Sequence, residues 1–245
     1  MSEHVDRAFA FMARGDMAGR EREETEVGTV VRSPELPLRQ DSNYLLVDRT
    51  DLSAARLAAD VRRLRLRVLV VRDEATSERL AGAFDAIGWQ SHAHVVMVQR
   101  RPPERPVDAA LATEVDEATL RSFRRASVLA APWGRAELAE QILRAKQLIG
   151  ERMRTRFFAV LVDGVPVAAA DLYLDGSEAQ IEDVFTLEEH RNRGCASALV
   201  SRAAEEARAA GATFVFLVAR ADDWPRLLYE RLGFETVGGY YKFFL

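Results

Sequence analysis

Two Asp-Gly pairs, Asp163-Gly164 and Asp175-Gly176, constrain the fold more tightly than any other feature of the chain. Asp-Gly supplies two successive residues that tolerate positive φ, which is what a two-residue hairpin turn requires. The apolar runs they separate, Arg156 to Val162, Val165 to Leu174 and Glu178 to Thr186, are predicted to form an antiparallel meander. Two helices precede it, near Glu117 to Ala130 and Ala136 to Ile149, parted by Pro132-Trp133-Gly134. An alanine-rich helix follows, Ala196 to Ala209, with Gly211 as its C-terminal stop. The strand Thr213 to Val218, a helix from Trp224 to Leu232 ending at Gly233, and a strand from Tyr240 to Leu245 complete the pattern.

Upstream, the segment Arg100 to Pro106 carries three prolines among alternating charges and reads as a linker, since neither helix nor ladder can continue through it. Before it lie predicted strands at Val27 to Val31, Tyr44 to Val47, Val68 to Val71 and His94 to Gln99, with helices at Asp51 to Arg65 and Thr76 to Ile87. A chain of 245 residues is long for one average domain, at roughly 100 to 200 residues each. An internal echo supports two: Phe84-Asp85-Ala86-Ile87-Gly88-Trp89 matches Tyr229-Glu230-Arg231-Leu232-Gly233-Phe234 at an offset of 145 residues. The expected division is 1–105 and 106–245.

Composition excludes several classes. With 48% hydrophobic and 29% charged residues the chain is an ordinary globular one, and a net charge of −4 gives no case for a nucleic-acid partner. Cys195 is the only cysteine, so neither a disulfide scaffold nor a cysteine metal site is expected. The start, Met1 to Arg7, lacks the apolar stretch of a secretion signal, and no run approaches a membrane span. A cytoplasmic protein is expected. Only Lys146 and Lys242 are lysines among 34 basic residues, a bias read as that of a GC-rich genome.

The chemistry is expected in Thr186-Leu187-Glu188-Glu189-His190-Arg191-Asn192-Arg193-Gly194-Cys195-Ala196-Ser197, where a strand ends, a glycine loop follows and a small-residue helix begins. Such a loop aims backbone N–H groups from the positive end of a helix dipole and suits a phosphate or pyrophosphate. Small residues at Gly194 and Ala196 let the backbone approach the phosphates, and Arg191 and Arg193 add positive charge. Together with the meander before it and Leu228-Tyr229-Glu230-Arg231-Leu232-Gly233-Phe234 after it, the segment resembles the GNAT superfamily of acyl-CoA-dependent N-acyltransferases over about residues 107 to 245. That family's acyl-CoA loop reads Arg/Gln-x-x-Gly-x-Gly/Ala, and its last helix commonly reads Leu-Tyr-x-x-x-Gly-Phe.

The resemblance implies tandem GNAT-like α/β domains, with a mixed, mostly antiparallel sheet flanked by helices. It implies that the backbone of Val184, Phe185 and Thr186 holds the pantetheine and acyl carbonyl, and that Arg191, Asn192, Arg193, Gly194, Cys195, Ala196 and Ser197 bind the pyrophosphate. It gives Tyr229 the role of acid toward the departing thiolate, with acetyl-CoA as co-substrate, direct attack by an amine, and no metal. Asp222-Asp223 and Trp224-Pro225 depart from the family's usual asparagine and small residues. Glu182 and Asp183 are the candidate bases; strand alternation sends them to opposite faces, and Glu182 is favoured because it shares parity with Val184 and Thr186. Asp171, Tyr173, Trp133 and Arg135 are candidates for an acceptor pocket, and His92 with His94 make a weak metal pair. Cys195 reads as a small hydrophobe that starts a helix.

The first half lacks this chemistry: Asp48 to Ser53 has no glycine loop, and Phe84 stands at the echo position of Tyr229. It is expected to be catalytically silent. The expected partner is a small-molecule or peptide amine, with neither nucleic acid nor membrane involved and a homodimer allowed. A non-catalytic acyl-CoA sensor is the alternative, and an interaction protein that binds no CoA a more distant one. Net charge favours a cationic acceptor only through long-range steering.

Overall fold

In the computed structural model, which describes residues 3–16 and 21–245, the first half runs α1 (Glu3–Asp16), β1 (Glu21–Glu24), β2 (Thr29–Arg32), β3 (Tyr44–Val47), α2 (Ala54–Arg63), β4 (Val68–Val71), α3 (Glu74–Asp85) and β5 (Gln90–Gln99). Its helices begin where side chains satisfy their open N–H groups: Ser53 accepts from Arg56, and Asp73 from Thr76. The second half runs β6 (Thr113–Val115), α4 (Glu117–Ala130), α5 (Ala136–Gly150), β7 (Arg154–Val162), β8 (Val165–Asp175), β9 (Glu178–Thr186), α6 (Cys195–Ala209), β10 (Phe214–Arg220), α7 (Pro225–Arg231) and β11 (Phe234–Phe244). The meander forms, with Asp163-Gly164 as its first two-residue turn, both at positive φ; at the second, Asp175 pairs with Glu178 as the last residue of β8, and Gly176-Ser177 makes the turn, with Gly176 at positive φ.

Some elements differ from expectation. The last strand begins at Phe234, not Tyr240, because a bulge between Thr236 and Gly238 carries the ladder past the glycine pair. Helix α1 and the short edge strands β1 and β6 are additions; all four residues of β1 are exposed, so no alternating pattern marks it. The prolines of 100–106 do exclude helix and strand, yet the segment is no free tether. Gly233 accepts from the N–H groups of Arg100 and Arg101 at 2.9 and 3.3 Å, and a Cβ on Gly233 would lie 1.9 Å from the Arg101 carbonyl oxygen.

All eleven strands form one sheet, in the order β1-β2-β3-β4-β11-β5-β10-β9-β8-β7-β6. The order is nearly a palindrome. β1 to β4 mirror β7 to β10, and β3–α2–β4 and β9–α6–β10 are matching crossovers between the sheet's two parallel pairs. At the centre the two final strands are exchanged. β11 pairs with β4 of the first half, β5 pairs with β10 of the second, and β5 and β11 pair with each other from Gln90↔Phe244 to Phe234↔Gln99.

Alternation along the strands assigns the layers. Leu69 and Val71 of β4 pack with α2 and α3, and Val215 and Leu217 of β10 pack with α6 and α7. The intervening Val68, Val70, Phe214 and Phe216 pack under α1 on the opposite face, where α5 and α4 also lie. Removing Leu199 or Val200 of α6 from water contributes about 1.5–3 kcal/mol each, and both are fully buried. No helix is long and apolar enough, among the described residues, to cross a membrane.

Candidate active site

Strands β9 and β10 pair only from Phe214↔Glu178 to Phe216↔Gln180 and then part, although β9 continues to Thr186 and β10 to Arg220. The Leu187 N–H donates to the Val167 carbonyl on the β8 side at 2.9 Å. Alternation back from that bond turns the N–H groups of Val184 and Thr186 toward the opening. The matching strands β3 and β4 stay together to their ends, with Val47↔Val71 paired and the Arg72 N–H on the Val47 carbonyl. The opening therefore belongs to the second half.

Beyond Thr186 the chain makes a short turn, Glu188–His190, and reaches Gly194, which caps α6 in a left-handed conformation at φ 81°. Asn192 is also left-handed, at φ 60°. The first protein-bonded amide of α6 is that of Ala198, on the Gly194 carbonyl. The N–H groups of residues 192 to 197 have no protein acceptor among the described residues. A Cβ on Gly194 would meet nothing within 4 Å, so it is the left-handed backbone, not a close neighbour, that calls for glycine here. This is an anion cradle at a helix start, and its donors fit a pyrophosphate. Cys195 is buried and its thiol donates to the His190 carbonyl at 3.7 Å, so it fastens the turn.

The two carboxylates are not divided between faces. Asp183 is left-handed, at φ 51°, and the β8–β9 register shifts between Ala169 and Asp171. This bulge breaks the alternation on which the parity expectation depended. Glu182 and Asp183 both line one cavity beneath α1 and α5, whereas Val184 packs with the α6 core and Phe185 against Phe123 of α4. Glu182 thus does not share a face with Val184.

Asp183 is tied down. Lys146, buried on α5, bonds to Asp183, to the Tyr173 hydroxyl at 2.6 Å and to Asp171 at 2.8 Å. The Tyr173 hydroxyl donates to Asp171, which also takes Arg124. Burial would lower the Lys146 pKa, but Asp171 and Asp183 overrule it and hold it well above the ordinary value. Burial would likewise raise Asp183, and Lys146 pulls it below the carboxylate range. Glu182 accepts from the Gln180 amide and is half-buried.

Tyr229 reaches the opening from the α6 side. It is buried in that core, and its hydroxyl makes no hydrogen bond among the described residues. Burial first, then the charges of Glu182 and Asp223, push its pKa up to about 12. The Tyr229 phenol therefore lies on one face of the sheet and the Glu182 carboxylate on the other.

The cavity behind Glu182 has a volume of about 470 Å³ and is lined from both halves, with Arg39, Asp41, Tyr44 and His94 joining Tyr173 and Lys242. Trp133 and Arg135 do not line it, and Asp171 lies beneath it, buried under Arg124, Lys146 and Tyr173. His94 stacks on Tyr240, with ring centroids 5.1 Å apart, and burial lowers its pKa to about 4. Sequence reading missed Lys146 and the whole contribution of the first half. The available signal was that the only two lysines both line this cavity. Asp222 pairs with Arg220, and Asp223 accepts from the Trp224 N–H at 2.8 Å just before α7.

These features define an acyltransferase-type cleft, a parted parallel pair with an anion cradle at its mouth. Residues 114–234 match the model of the Acetyltransferase (GNAT) family, and the second half of the chain belongs to that superfamily. No curated protein matches in sequence. Among solved structures, the chain is similar to a GCN5-related N-acetyltransferase from Kribbella flavida, with 18% identity, a TM-score of 0.66, and 100% of this chain and 96% of that one covered. A conserved protein of unknown function from Staphylococcus epidermidis also has 18% identity and a TM-score of 0.66, over 91% and 93% of the two chains. A GCN5-related N-acetyltransferase-like protein from Streptococcus suis has 15% identity and a TM-score of 0.52, over 99% and 98%. At such identities the likeness is one of fold, and it extends through both halves.

Proposed function

We propose that the protein is an N-acetyltransferase that passes the acetyl group of acetyl-CoA to a primary amine by direct attack. The run of N–H groups from 192 to 197 with no acceptor among the described residues, beside the parted strands, is the observation that carries this reading. Acetyl-CoA supplies the activated thioester. The loop from Arg191 to Ser197 holds its pyrophosphate, and the backbone of Val184, Phe185 and Thr186 lines its pantetheine arm. The inward N–H of Val184 faces the negative charge that builds on the carbonyl oxygen.

The amine enters from the cavity side. Its ammonium gives one proton to Glu182, directly or through water, its nitrogen bonds to the acyl carbon, the carbon–sulfur bond breaks, and Tyr229 gives the sulfur a proton that is replaced by the second proton the nitrogen sheds on becoming an amide. Asp183 is a poor base in this scheme because Lys146 already occupies it. The first 105 residues form the silent GNAT-like unit: Phe84, the counterpart of Tyr229, is fully buried against Trp89 and Phe243. A cytoplasmic setting, which supplies acetyl-CoA, completes the proposal.

Calorimetric titration of acetyl-CoA into wild type and Gly194→Glu tests it. Wild type is expected to bind. The variant, whose left-handed backbone adds a strain of about 1–2 kcal/mol, should remain folded and lose binding, because a carboxylate then stands where the diphosphate sits. A folded wild type that binds neither acetyl-CoA nor CoA overturns the proposal.

A further inference from the structure

Strand β9 leaves β10 after Gln180 and runs from there to Thr186 with β8 as its one ladder partner. Within that stretch it carries one residue more than β8 does. The pairs Ala169↔Phe185 and Asp171↔Glu182 leave Ala170 opposite both Asp183 and Val184. We propose that Lys146 is a positioning residue: acting through Asp183, it holds this bulge and so keeps the Val184 N–H turned into the cleft. What that N–H meets there rests on the acyl-transfer reading above.

The bulge decides which amides face the cleft. The Phe214 N–H donates to the Ser177 carbonyl at 3.1 Å, so alternation directs the N–H groups of odd-numbered β9 residues, from Ala179 on, toward β10. At the far end of the strand the N–H of Leu187, also odd-numbered, goes to Val167 on the β8 side. The facing has reversed between them, and the extra residue is where it reverses. In an unbulged strand Val184 would spend its N–H on β8, and the cleft would lose that donor.

Lys146 is placed to hold the irregularity. Asp183 is left-handed at φ 51°, a conformation that a residue other than glycine keeps where its surroundings enforce it. Its carboxylate bonds to Lys146, whose Nζ also donates to the Tyr173 hydroxyl at 2.6 Å and lies 2.8 Å from Asp171. Asp171 and Tyr173 belong to β8 and Asp183 to β9, so one ammonium on α5 spans both strands beside the extra residue. Only 3% of the lysine side chain is exposed, and Arg124 fixes Asp171 from α4. Two cations and two carboxylates balance, so the buried charges are compensated. Asp183 lies at the open end of the set, with 49% of its side chain exposed, and a substitution there disturbs the interior least.

The test is an assigned ¹H–¹⁵N spectrum of the intact chain, titrated with CoA and with acetyl-CoA, in wild type, Lys146→Met, Asp183→Gly and Asp183→Asn. The two ligands differ only in the acetyl group, so the difference in the Val184 amide shift between them reads the bond to the acyl carbonyl. That difference is expected in wild type. In Lys146→Met, and in Asp183→Gly, which accepts the left-handed backbone but has no carboxylate to tie, it should fall by about half or more as the amide averages over positions outside the cleft. Asp183→Asn, which tolerates the same conformation and can still accept from Lys146, should recover part of it. CoA affinity should stay within about twofold of wild type, since the 192–197 loop shares no partner with Asp183. A loss of stability alone would weaken both ligands without singling out Val184. Should Lys146→Met fail to fold, Asp183→Gly carries the comparison, because Lys146 there keeps Asp171 and Tyr173.

No acetyl-dependent shift at Val184 in a wild type that binds both ligands, or an undiminished one in a folded Asp183→Gly, overturns the inference and leaves donor binding standing. If wild type binds neither ligand, acyl transfer falls, and the hold on the bulge is judged in the free protein by hydrogen exchange at the Phe185 N–H, which alternation sets toward β8. Exchange about tenfold faster in the variants, with the α6 amides unchanged, upholds it, and unchanged exchange overturns it.

Discussion

Tyr229 holds its proton more firmly than a free thiolate would take it. Its pKa of about 12 exceeds that of an ordinary thiol, about 8.5, by roughly 3.5 units, so complete transfer from the resting enzyme is uphill by about 5 kcal/mol. The phenol therefore acts by hydrogen bonding to sulfur as charge builds. Part of the upward push on Tyr229 comes from the Glu182 charge, so a proton taken by Glu182 from the amine makes Tyr229 a better donor. Tyr229→Phe should lower kcat by about 10² or more, with little change in the acetyl-CoA KM. Its melting temperature should stay close to that of wild type, since the hydroxyl has no hydrogen bond among the described residues to lose. A kcat within threefold of wild type would remove Tyr229 from the chemistry. The position of Tyr229 was legible in the sequence, because Leu228-Tyr229 and Gly233-Phe234 keep their spacing at the end of a short helix.

The elements were legible wherever turn and cap chemistry is written in residue type. Asp163-Gly164 made the first hairpin and Gly176 opened the second, Ser53, Asp73 and Asp116 made the caps, and the glycine loop before α6 left its amides open. The bulge in β9 was not legible, because the left-handed residue is an aspartate within a strand-like run and carries no glycine to mark it. The side chain of that residue is held by a tertiary contact, Lys146 from α5, thirty-seven residues earlier in the chain. The bulge thus turns Asp183 toward a partner that strand periodicity cannot see. Lys146→Met, similar in length and without the charge, would leave Asp171 buried with Arg124 and the Tyr173 hydroxyl and take from Asp183 its lysine partner. Removing one partner of such a group typically destabilises by about 3–5 kcal/mol, which urea denaturation would read directly. A loss below about 1 kcal/mol would mean that Arg124 and Tyr173 suffice to hold Asp171. The bulge would then stand without the lysine.

At the scale of the whole molecule, the 145-residue echo announced two related units but could not announce how they join. A repeat makes each final strand fit either unit equally well by pattern, and pattern does not say which partner it takes. The structure takes the crossed choice, with β5 in the second unit's ladder and β11 in the first's. A cut in 100–106 would therefore not release two finished domains. Residues 106–245 alone lack the strand between β10 and β11, and residues 1–105 alone lack the partner on the inner edge of β4. Each fragment would present an unpaired edge and an uncovered apolar face, a state prone to aggregation. The fragments are expected to be poorly folded when expressed apart and, refolded together, to form a one-to-one complex with the circular dichroism and acetyl-CoA affinity of the intact chain. A monomeric, acetyl-CoA-binding 106–245 fragment would mean that β11 can swing in beside β10 and close the second unit on itself. In that case the exchange is a matter of tethering, and the acceptor cavity, built across it, should be lost while donor binding survives.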